Sequence, residues 1–184
     1  MQDEFLTLLD WFAELLKRPL SDFFSVDSLE HQILSRLKDG WGRRDTAELL
    51  KELSAEYGEA AGEAVEKFLE LNLVKDWAEI GKEEAHEGTE IEDFIRVLWE
   101  PLQDLGFQYE INHEGGRAEF VVTHCPVHQL AERTGMRDWL YHLACSTDFF
   151  STRGFSDKIE FTRSKTLIQG NDCCDHSYYY KTGR

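Results

Sequence analysis

Basic residues are scarce in this 184-residue chain: 20 Lys and Arg stand against 36 Asp and Glu, giving a formal net charge of −16. Proteins that bind nucleic acid or anionic membranes need a surplus of basic side chains to neutralise phosphate groups. The shortage therefore argues against both kinds of partner. Most of the acidic excess lies in residues 1–90, with 22 acidic and 10 basic residues, whereas residues 91–184 contain 14 and 10.

Long apolar runs and a signal sequence are also missing. No apolar run approaches the roughly 20 residues that a membrane helix needs, and residues 1–4 lack the basic start of a signal peptide. Four cysteines are too few for the disulfide framework of a small secreted domain, so we expect free thiols or ligands. A hydrophobic content of 41% excludes disorder. We therefore expect a soluble, cytoplasmic protein.

The first half of the chain has the apolar periodicity of amphipathic helices. Charge argues against a helix-turn-helix DNA reader, because the candidate recognition segment, residues 58–72, has one Lys and four Glu. We interpret residues 1–90 as an all-helical region that forms a lid, a dimer surface or a support layer, ending in a polar linker near residues 81–90. The predicted helices cover residues 3–18, 27–38, 45–56 and 58–72.

The second half, residues 91–184, mixes helical and strand periodicity. A helical face over residues 91–105 contains Pro101, which should kink it. Apolar and polar residues then alternate on both sides of a turn at Asn112–Gly116, which predicts a β-hairpin. We therefore predict an α+β fold, in which an antiparallel sheet follows the all-helical first half. Two further helices are expected at residues 126–133 and 136–147, and short strands at 159–161, 166–168 and 175–180.

Three short spacings bring together residues that could perform chemistry. Cys125 and His128 are three apart at a predicted helix start, where the helix N-terminus would lower the pKa of the thiol. His142, Cys145 and Asp148 follow one another at intervals of three on a helix. Cys174 and His176 alternate on a strand and share one face, whereas Cys173 points the other way.

These groups are open to three interpretations. A thiolate beside a histidine can attack an electrophilic carbon. Alternatively, zinc or another divalent metal could bind, although the chain has no CxxC pair and the sequence requires no cofactor. The third interpretation is structural, with buried cysteines and with histidines that satisfy backbone groups. The candidate metal ligands are Cys125, His128, Cys145, Cys174 and His176.

Two further features bear on a ligand and on a partner. Arg163 and Lys165 share a face and could receive a substrate carboxylate, although a solvated sheet face is the commoner outcome. The turn at residues 170–172 includes Asp172 and is either a plain hairpin connection or an anion-binding nest. A homodimer would use exposed aromatic residues, but core positions are the better explanation for each of Phe23, Phe24, Trp41 and Trp77.

The second half contains a series of recognisable motifs: Cys-Pro after a strand, Cys-x-x-Asp at a helix end, Gly-Phe, an Arg before Thr-Leu, and a Gly-rich turn entering a final aromatic strand. This series resembles that of the L-2-amino-thiazoline-4-carboxylic acid hydrolase family. It covers about residues 91–184, most specifically 125–180, with a looser fit in the helical half. The family's Gly-Asp is Gly170-Asn171 here, with Asp172 one place later. The positions that match are Cys125-Pro126, Cys145, Asp148, Gly154-Phe155, Arg163, Thr166-Leu167 and Cys174.

The resemblance implies ring-opening hydrolysis of a small cyclic thiazoline to an N-carbamoyl cysteine. Chemistry then suggests that Asp148 or His142 handles protons, that Cys125 or Cys145 is the reactive thiol, and that Arg163, with Asp172, binds the substrate. A fainter similarity to vinyl-4-reductase-type small-molecule-binding domains implies the alternative of a ligand or metal sensor without catalysis. In either case the partner is a small molecule.

Overall fold

A computed structural model describes residues 3–42 and 45–181 and confirms the α+β architecture. Helices fill the first half, and a four-stranded antiparallel sheet with further helices follows. The helices are α1 (Asp3–Leu16), α2 (Leu29–Gly40), α3 (Thr46–Tyr57), α4 (Glu59–Glu84), α5 (Glu90–Phe94), α6 (Glu100–Asp104), α7 (Pro126–Thr134), α8 (Arg137–Leu140) and α9 (Thr147–Phe155); the strands are β1 (Gln108–Glu114), β2 (Arg117–His124), β3 (Ile159–Thr162) and β4 (Cys174–Tyr180).

The helices of the first half begin within two residues of the predicted starts. The carboxylate of Asp45 accepts a hydrogen bond from the backbone N–H of Glu48 at 2.9 Å and so caps α3. The predicted end of α4 is wrong, because the helix continues through residues 73–84 instead of stopping at residue 72. The predicted polar linker at residues 81–90 therefore shrinks to the loop of residues 85–89.

The sheet has the strand order β1-β2-β4-β3, and every neighbouring pair is antiparallel. Its inner face includes Phe120 on β2, and Cys174, His176 and Tyr178 on β4, all of them buried. Cys174 and His176 share this face, as predicted. The strand predicted at residues 166–168 is wrong: Thr166 instead caps a short 3-10 helix, Leu167–Gln169, which ends at Gly170 with φ of +91°.

Two of the predicted helices are interrupted by five-residue π-helical turns. One, Ile95–Trp99, separates α5 from α6, and Pro101 is the second residue of α6. The other, Tyr141–Cys145, separates α8 from α9. A π turn inserts an extra residue into a helix and is frequent at functional sites. Here the turns end at Trp99 and Cys145, which both contribute to the cluster described below.

Helix α4 joins the two apolar cores of the protein. The first core lies among α1–α4, α7 and α8, the second lies between the sheet and the segment α5–α6, and Trp77 of α4 packs against both. Two glycines let α4 approach α9 closely: a Cβ on Gly81 would lie 2.0 Å from the carbonyl oxygen of Phe155, and one on Gly154 would lie 2.7 Å from that of Val74.

The aromatic residues considered for a dimer surface contribute to the cores. Phe24 is buried, and Phe23, Trp41 and Trp77 pack partly buried against the first core. A homodimer thus stays a prediction without support from these side chains. Within residues 3–42 and 45–181, none of the helices combines the length and the apolar character that crossing a membrane requires.

A buried Asp-Arg-His cluster as the candidate active site

Asp148, in the first turn of α9, is the centre of a buried charged cluster. Its Oδ2 atom forms an ion pair with Nη1 of Arg163 and lies 3.2 Å from Nε2 of His176. The side chains of Arg163 and His176 are only 3% and 6% exposed, whereas that of Asp148 is 23% exposed. Asp148 is thus the member of the cluster that water or a small ligand can reach.

Arg163, just after β3, is held by polar and aromatic contacts together. Its Nη1 also donates a hydrogen bond to the carbonyl of Cys145 at 3.1 Å, at the end of the second π turn. The rings of Tyr141, Phe149 and Phe161 have centroids within 6.0 Å of the guanidinium carbon. Burial lowers the pKa of Arg163, but the charge of Asp148, together with smaller contributions from Cys145 and Tyr141, outweighs burial and raises this pKa above its usual value. Arg163 therefore stays charged.

His176 projects from the inner face of β4 into an aromatic environment. It lies opposite Phe120 in the strand register, meets Trp99 edge to face at 5.0 Å, and stacks on Phe161 at 5.7 Å between ring centroids. Because an ionised carboxylate only accepts hydrogen bonds, Nε2 is the donor in the contact with Asp148. Nδ1 is buried and has no hydrogen-bond partner among the described residues.

Three thiols surround the cluster, and all are shifted away from the reactive thiolate form. Burial raises the pKa of Cys125 to about 11, and the charge of Asp148 adds to this. Backbone N–H groups of Val127 and His128 do lower the pKa of Cys125, as expected at a helix start, but burial dominates, so the predicted net lowering is wrong. Burial likewise raises the pKa of Cys145 and of Cys174. At neutral pH these thiols are protonated.

The other candidate residues lie apart from Asp148. Nδ1 of His142 is 2.8 Å from Glu66, in a cleft of about 930 Å³ that also borders α4. Nε2 of His128 is 3.7 Å from Glu132, along α7. Asp172 is exposed and is 3.5 Å from Lys165, so Lys165 does not join Arg163 at the cluster.

The structure supplies no geometry for the predicted metal site. Within the described part of the chain, no three His, Cys, Asp or Glu side chains form a group that could hold a metal ion. Zinc binding by Cys125, His128, Cys145, Cys174 and His176 therefore stays a prediction.

Sequence reasoning missed the aromatic walls of the cluster and the role of His176 as the partner of Asp148. Asp148 and His176 are 28 residues apart, and Trp99 comes from a segment that precedes the sheet. The sequence did offer a signal for each half of this contact. His176 shares the inner strand face with Cys174, and Asp148 lies one helical turn after Cys145. The two pairs come together because β4 and α9 pack against the same core, which the sequence does not reveal.

Two comparisons with known proteins bear on this arrangement. The family model of L-2-amino-thiazoline-4-carboxylic acid hydrolase matches residues 39–178, so the similarity extends well into the helical half and includes all three residues of the cluster. A comparison with curated proteins finds none that matches. Since the family model covers most of the chain, this protein belongs to the L-2-amino-thiazoline-4-carboxylic acid hydrolase family.

Proposed function

We propose that the protein hydrolyses a small cyclic C–N or C=N substrate, such as 2-amino-thiazoline-4-carboxylate, at Asp148. The observation that carries the proposal is the carboxylate of Asp148, which is held on one oxygen by the nearly buried Arg163 and His176 and is itself 23% exposed. Charged clusters that are partly accessible to solvent in this way occur at catalytic sites. Membership of the hydrolase family supports the same reaction class.

The proposed reaction adds water to the electrophilic C2 carbon of the thiazoline ring. Asp148 accepts a proton from the attacking water as the water oxygen bonds to C2, and passes this proton to the ring nitrogen. Asp148 then takes the remaining proton of the new hydroxyl group as the C2=O bond forms and the C2–S bond breaks, and gives it to the sulfur, which leaves as a thiol. The product is the N-carbamoyl cysteine, and Asp148 returns to its starting state.

Arg163 and His176 act on Asp148 in this scheme. The guanidinium of Arg163 is bound by Asp148 and by the Cys145 carbonyl, with three rings around it, so it holds the carboxylate in one orientation. A substrate carboxylate would have to displace these contacts to bind Arg163. The protonated thiols of Cys125 and Cys145 serve as neutral lining and as hydrogen-bond donors, because their raised pKa values disfavour nucleophilic attack.

The test uses the full chain and 2-amino-thiazoline-4-carboxylate. Release of a free thiol measures ring opening, and mass spectrometry identifies the carbamoyl product. We expect turnover by the unmodified protein and a loss of about 100-fold or more in Asp148→Asn. Glu70→Gln is the matched control. Like Asp148, Glu70 is a carboxylate paired with an arginine, but its partner is Arg153 of α9 and the pair lies on the exposed surface. The control should retain the full rate.

The outcomes separate a hydrolase from the alternative of a ligand sensor. If the substrate binds, as seen by calorimetry, but no thiol is released, the protein is a binding module and the hydrolase proposal fails. If folded Asp148→Asn keeps the rate of the unmodified protein, Asp148 is not the proton-handling group. Elemental analysis of untagged protein tests the zinc prediction separately, because a stoichiometric metal would add a Lewis acid to the chemistry.

A further inference from the structure

Strand β1 lies at one end of the sheet, so one of its two edges, the free edge, has no neighbouring strand. Six of the seven residues of β1 are exposed, and only Tyr109 is half-buried. Apart from the pairing with β2, no backbone hydrogen bond joins β1 to any other segment of the described chain. An exposed strand edge of this kind is a template on which a further strand can pair.

The hairpin between β1 and β2 determines which backbone groups face the free edge. Its two-residue turn, Gly115-Gly116, has positive φ at both positions, as in a type I′ turn, and the flanking residues Glu114 and Arg117 are partners. Partners that flank such a turn exchange hydrogen bonds, and bonded and non-bonded pairs alternate along an antiparallel ladder. Every second residue of β1 therefore points its N–H and C=O away from β2: Tyr109, Ile111 and His113.

Strand β1 lacks several features that keep a free edge strand unpaired. Such strands are commonly short, contain Lys or Pro, or turn a charged side chain inward. The strand at the other end of the sheet, β3, has four residues, whereas β1 has seven and contains neither Lys nor Pro. On the inner face of β1, Tyr109, Ile111 and His113 lie opposite buried residues of β2, and none of them is Asp, Glu, Lys or Arg. Ile111, at the centre of β1, is 44% exposed.

A second copy of β1 satisfies this edge when it pairs antiparallel, with the two-fold axis at Ile111. In that register Ile111 lies opposite the partner's Ile111, and Tyr109 lies opposite the partner's His113. Each of these residue pairs exchanges two hydrogen bonds, so all the outward backbone groups of both strands are paired. The two exposed Ile111 side chains also become neighbours on one face and shield each other from water.

The charged side chains of β1 fit the same register. On the outer face Glu110 lies opposite the partner's Asn112, and Glu114 lies opposite the partner's Gln108. Each carboxylate therefore meets an amide that can donate a hydrogen bond to it, and no carboxylate is directly opposite another. The two Glu110 side chains are diagonal neighbours, so the pairing should strengthen as salt screens the acidic chains from each other.

We propose that two copies of this chain form a homodimer by pairing their β1 strands about Ile111, so that their four-stranded sheets join into one sheet of eight strands. This homodimer does not depend on the proposed function. Asp148 lies on α9, whose Phe149 packs on Phe161 of β3, and β3 is at the opposite end of the sheet from β1. The dimer surface and the Asp148 cluster can therefore be tested separately.

Sedimentation equilibrium of the full chain measures the dimer. We expect the weight-average mass to rise with concentration from the 21.4 kDa of one chain toward twice that value. Ile111→Lys should weaken association about tenfold or more, because the two-fold axis places the two new charges face to face and the apolar contact is lost. Val121→Lys is the matched control: Val121 is 42% exposed, close to Ile111, but lies on the outer face of β2, away from the free edge. This control should dimerise as the unmodified chain does.

A charge swap tests the register itself. Ile111→Glu should weaken self-association for the same reason as Ile111→Lys. A mixture of the two variants should regain the dimer, because opposite charges then meet across the axis. Registers that separate residue 111 of one chain from residue 111 of the other predict no such rescue. Rescue would also show that both variants are folded.

Amide hydrogen exchange supplies a second readout. The N–H groups of Tyr109, Ile111 and His113 should exchange fast in dilute protein and slowly in concentrated protein, because they are protected only by the second copy. The N–H groups of Glu110 and Asn112 face β2, so they should exchange slowly at both concentrations.

Four results would overturn the homodimer. They are the mass of a single chain at every concentration up to about 1 mM, a dimer that Ile111→Lys leaves intact, a charge-swap mixture that stays monomeric, and free-edge amides whose exchange does not change with concentration. Thiol release from the thiazoline remains a separate measurement. Turnover by a monomeric protein would reject the dimer and keep the hydrolase, and a dimer without turnover would do the reverse.

Discussion

The substitution Asp148→Asn tests whether the buried cluster is charge-paired as the structure shows. Asn has the size of Asp and can still accept a hydrogen bond, but it removes the negative charge that faces Arg163. The guanidinium is 3% exposed, so water cannot replace the lost partner. Breaking a fully buried ion pair costs roughly 3–5 kcal/mol, and because Asp148 is itself 23% exposed we expect a smaller cost, about 2–3 kcal/mol.

Urea unfolding followed by tryptophan fluorescence measures this loss in the free energy of unfolding. The control Glu70→Gln removes a carboxylate of α4 from its exposed ion pair with Arg153, which lies on α9 as Asp148 does. This substitution should cost less than about 1 kcal/mol. The double variant Asp148→Asn/Arg163→Met should be more stable than Asp148→Asn alone, because it removes the unpaired charge as well. A cost for Asp148→Asn no larger than that of the control would refute the buried pair.

Three further predictions concern packing, thiol reactivity and pH. Gly81→Ala should destabilise the protein by about 1–3 kcal/mol in urea unfolding, because its Cβ would meet the backbone oxygen of Phe155; an unchanged midpoint would contradict the close contact. Alkylation of Cys125 by iodoacetamide, followed by peptide mass spectrometry, should accelerate about tenfold per pH unit from pH 7 to 10, since its pKa is about 11; a plateau near pH 8 would show an ordinary thiol. Burial raises the pKa of Glu90, but the Lys158 ammonium and backbone N–H groups outweigh it and hold the pKa below 4.5. The stability from Glu90 is therefore present above about pH 4.5 and is lost as pH falls through its lower folded pKa. Glu90→Gln should destabilise the protein at pH 7, and urea unfolding should show this cost shrinking as the pH falls below 4.5.

The elements with strong local signals could be predicted from the sequence. The hairpin of β1 and β2 follows from alternation around a glycine turn, and α3 from a capping Asp45 before an apolar stripe. The errors occur where tertiary packing decides. Residues 73–84 extend α4 because Gly81 and Trp77 meet α9, and residues 166–168 form a 3-10 turn because Thr166 caps it and Gly170 ends it.

The sequence identified most residues of the candidate site but not the contacts between them. Asp148, Arg163, Cys125, Cys145 and Cys174 were all identified as motif positions. Local spacing, however, groups Asp148 with His142. In the folded chain His142 contacts Glu66 instead, and the histidine that contacts Asp148 is His176. Spacing along a helix assumes a regular period, and the π turn at Tyr141–Cys145 breaks that period just before Asp148.

The glycine-lined contact between α4 and α9 has a consequence for how the molecule could be taken apart. The helix that presents Asp148 rests on a helix from the other side of the loop at residues 85–89. A chain nicked in that loop would yield two fragments, one carrying Asp148 on α9 and the other carrying α4, the helix on which α9 packs. The fragments would reassociate through this glycine-lined contact together with the core shared by α1–α4, α7 and α8, so split halves of the chain could report their own assembly.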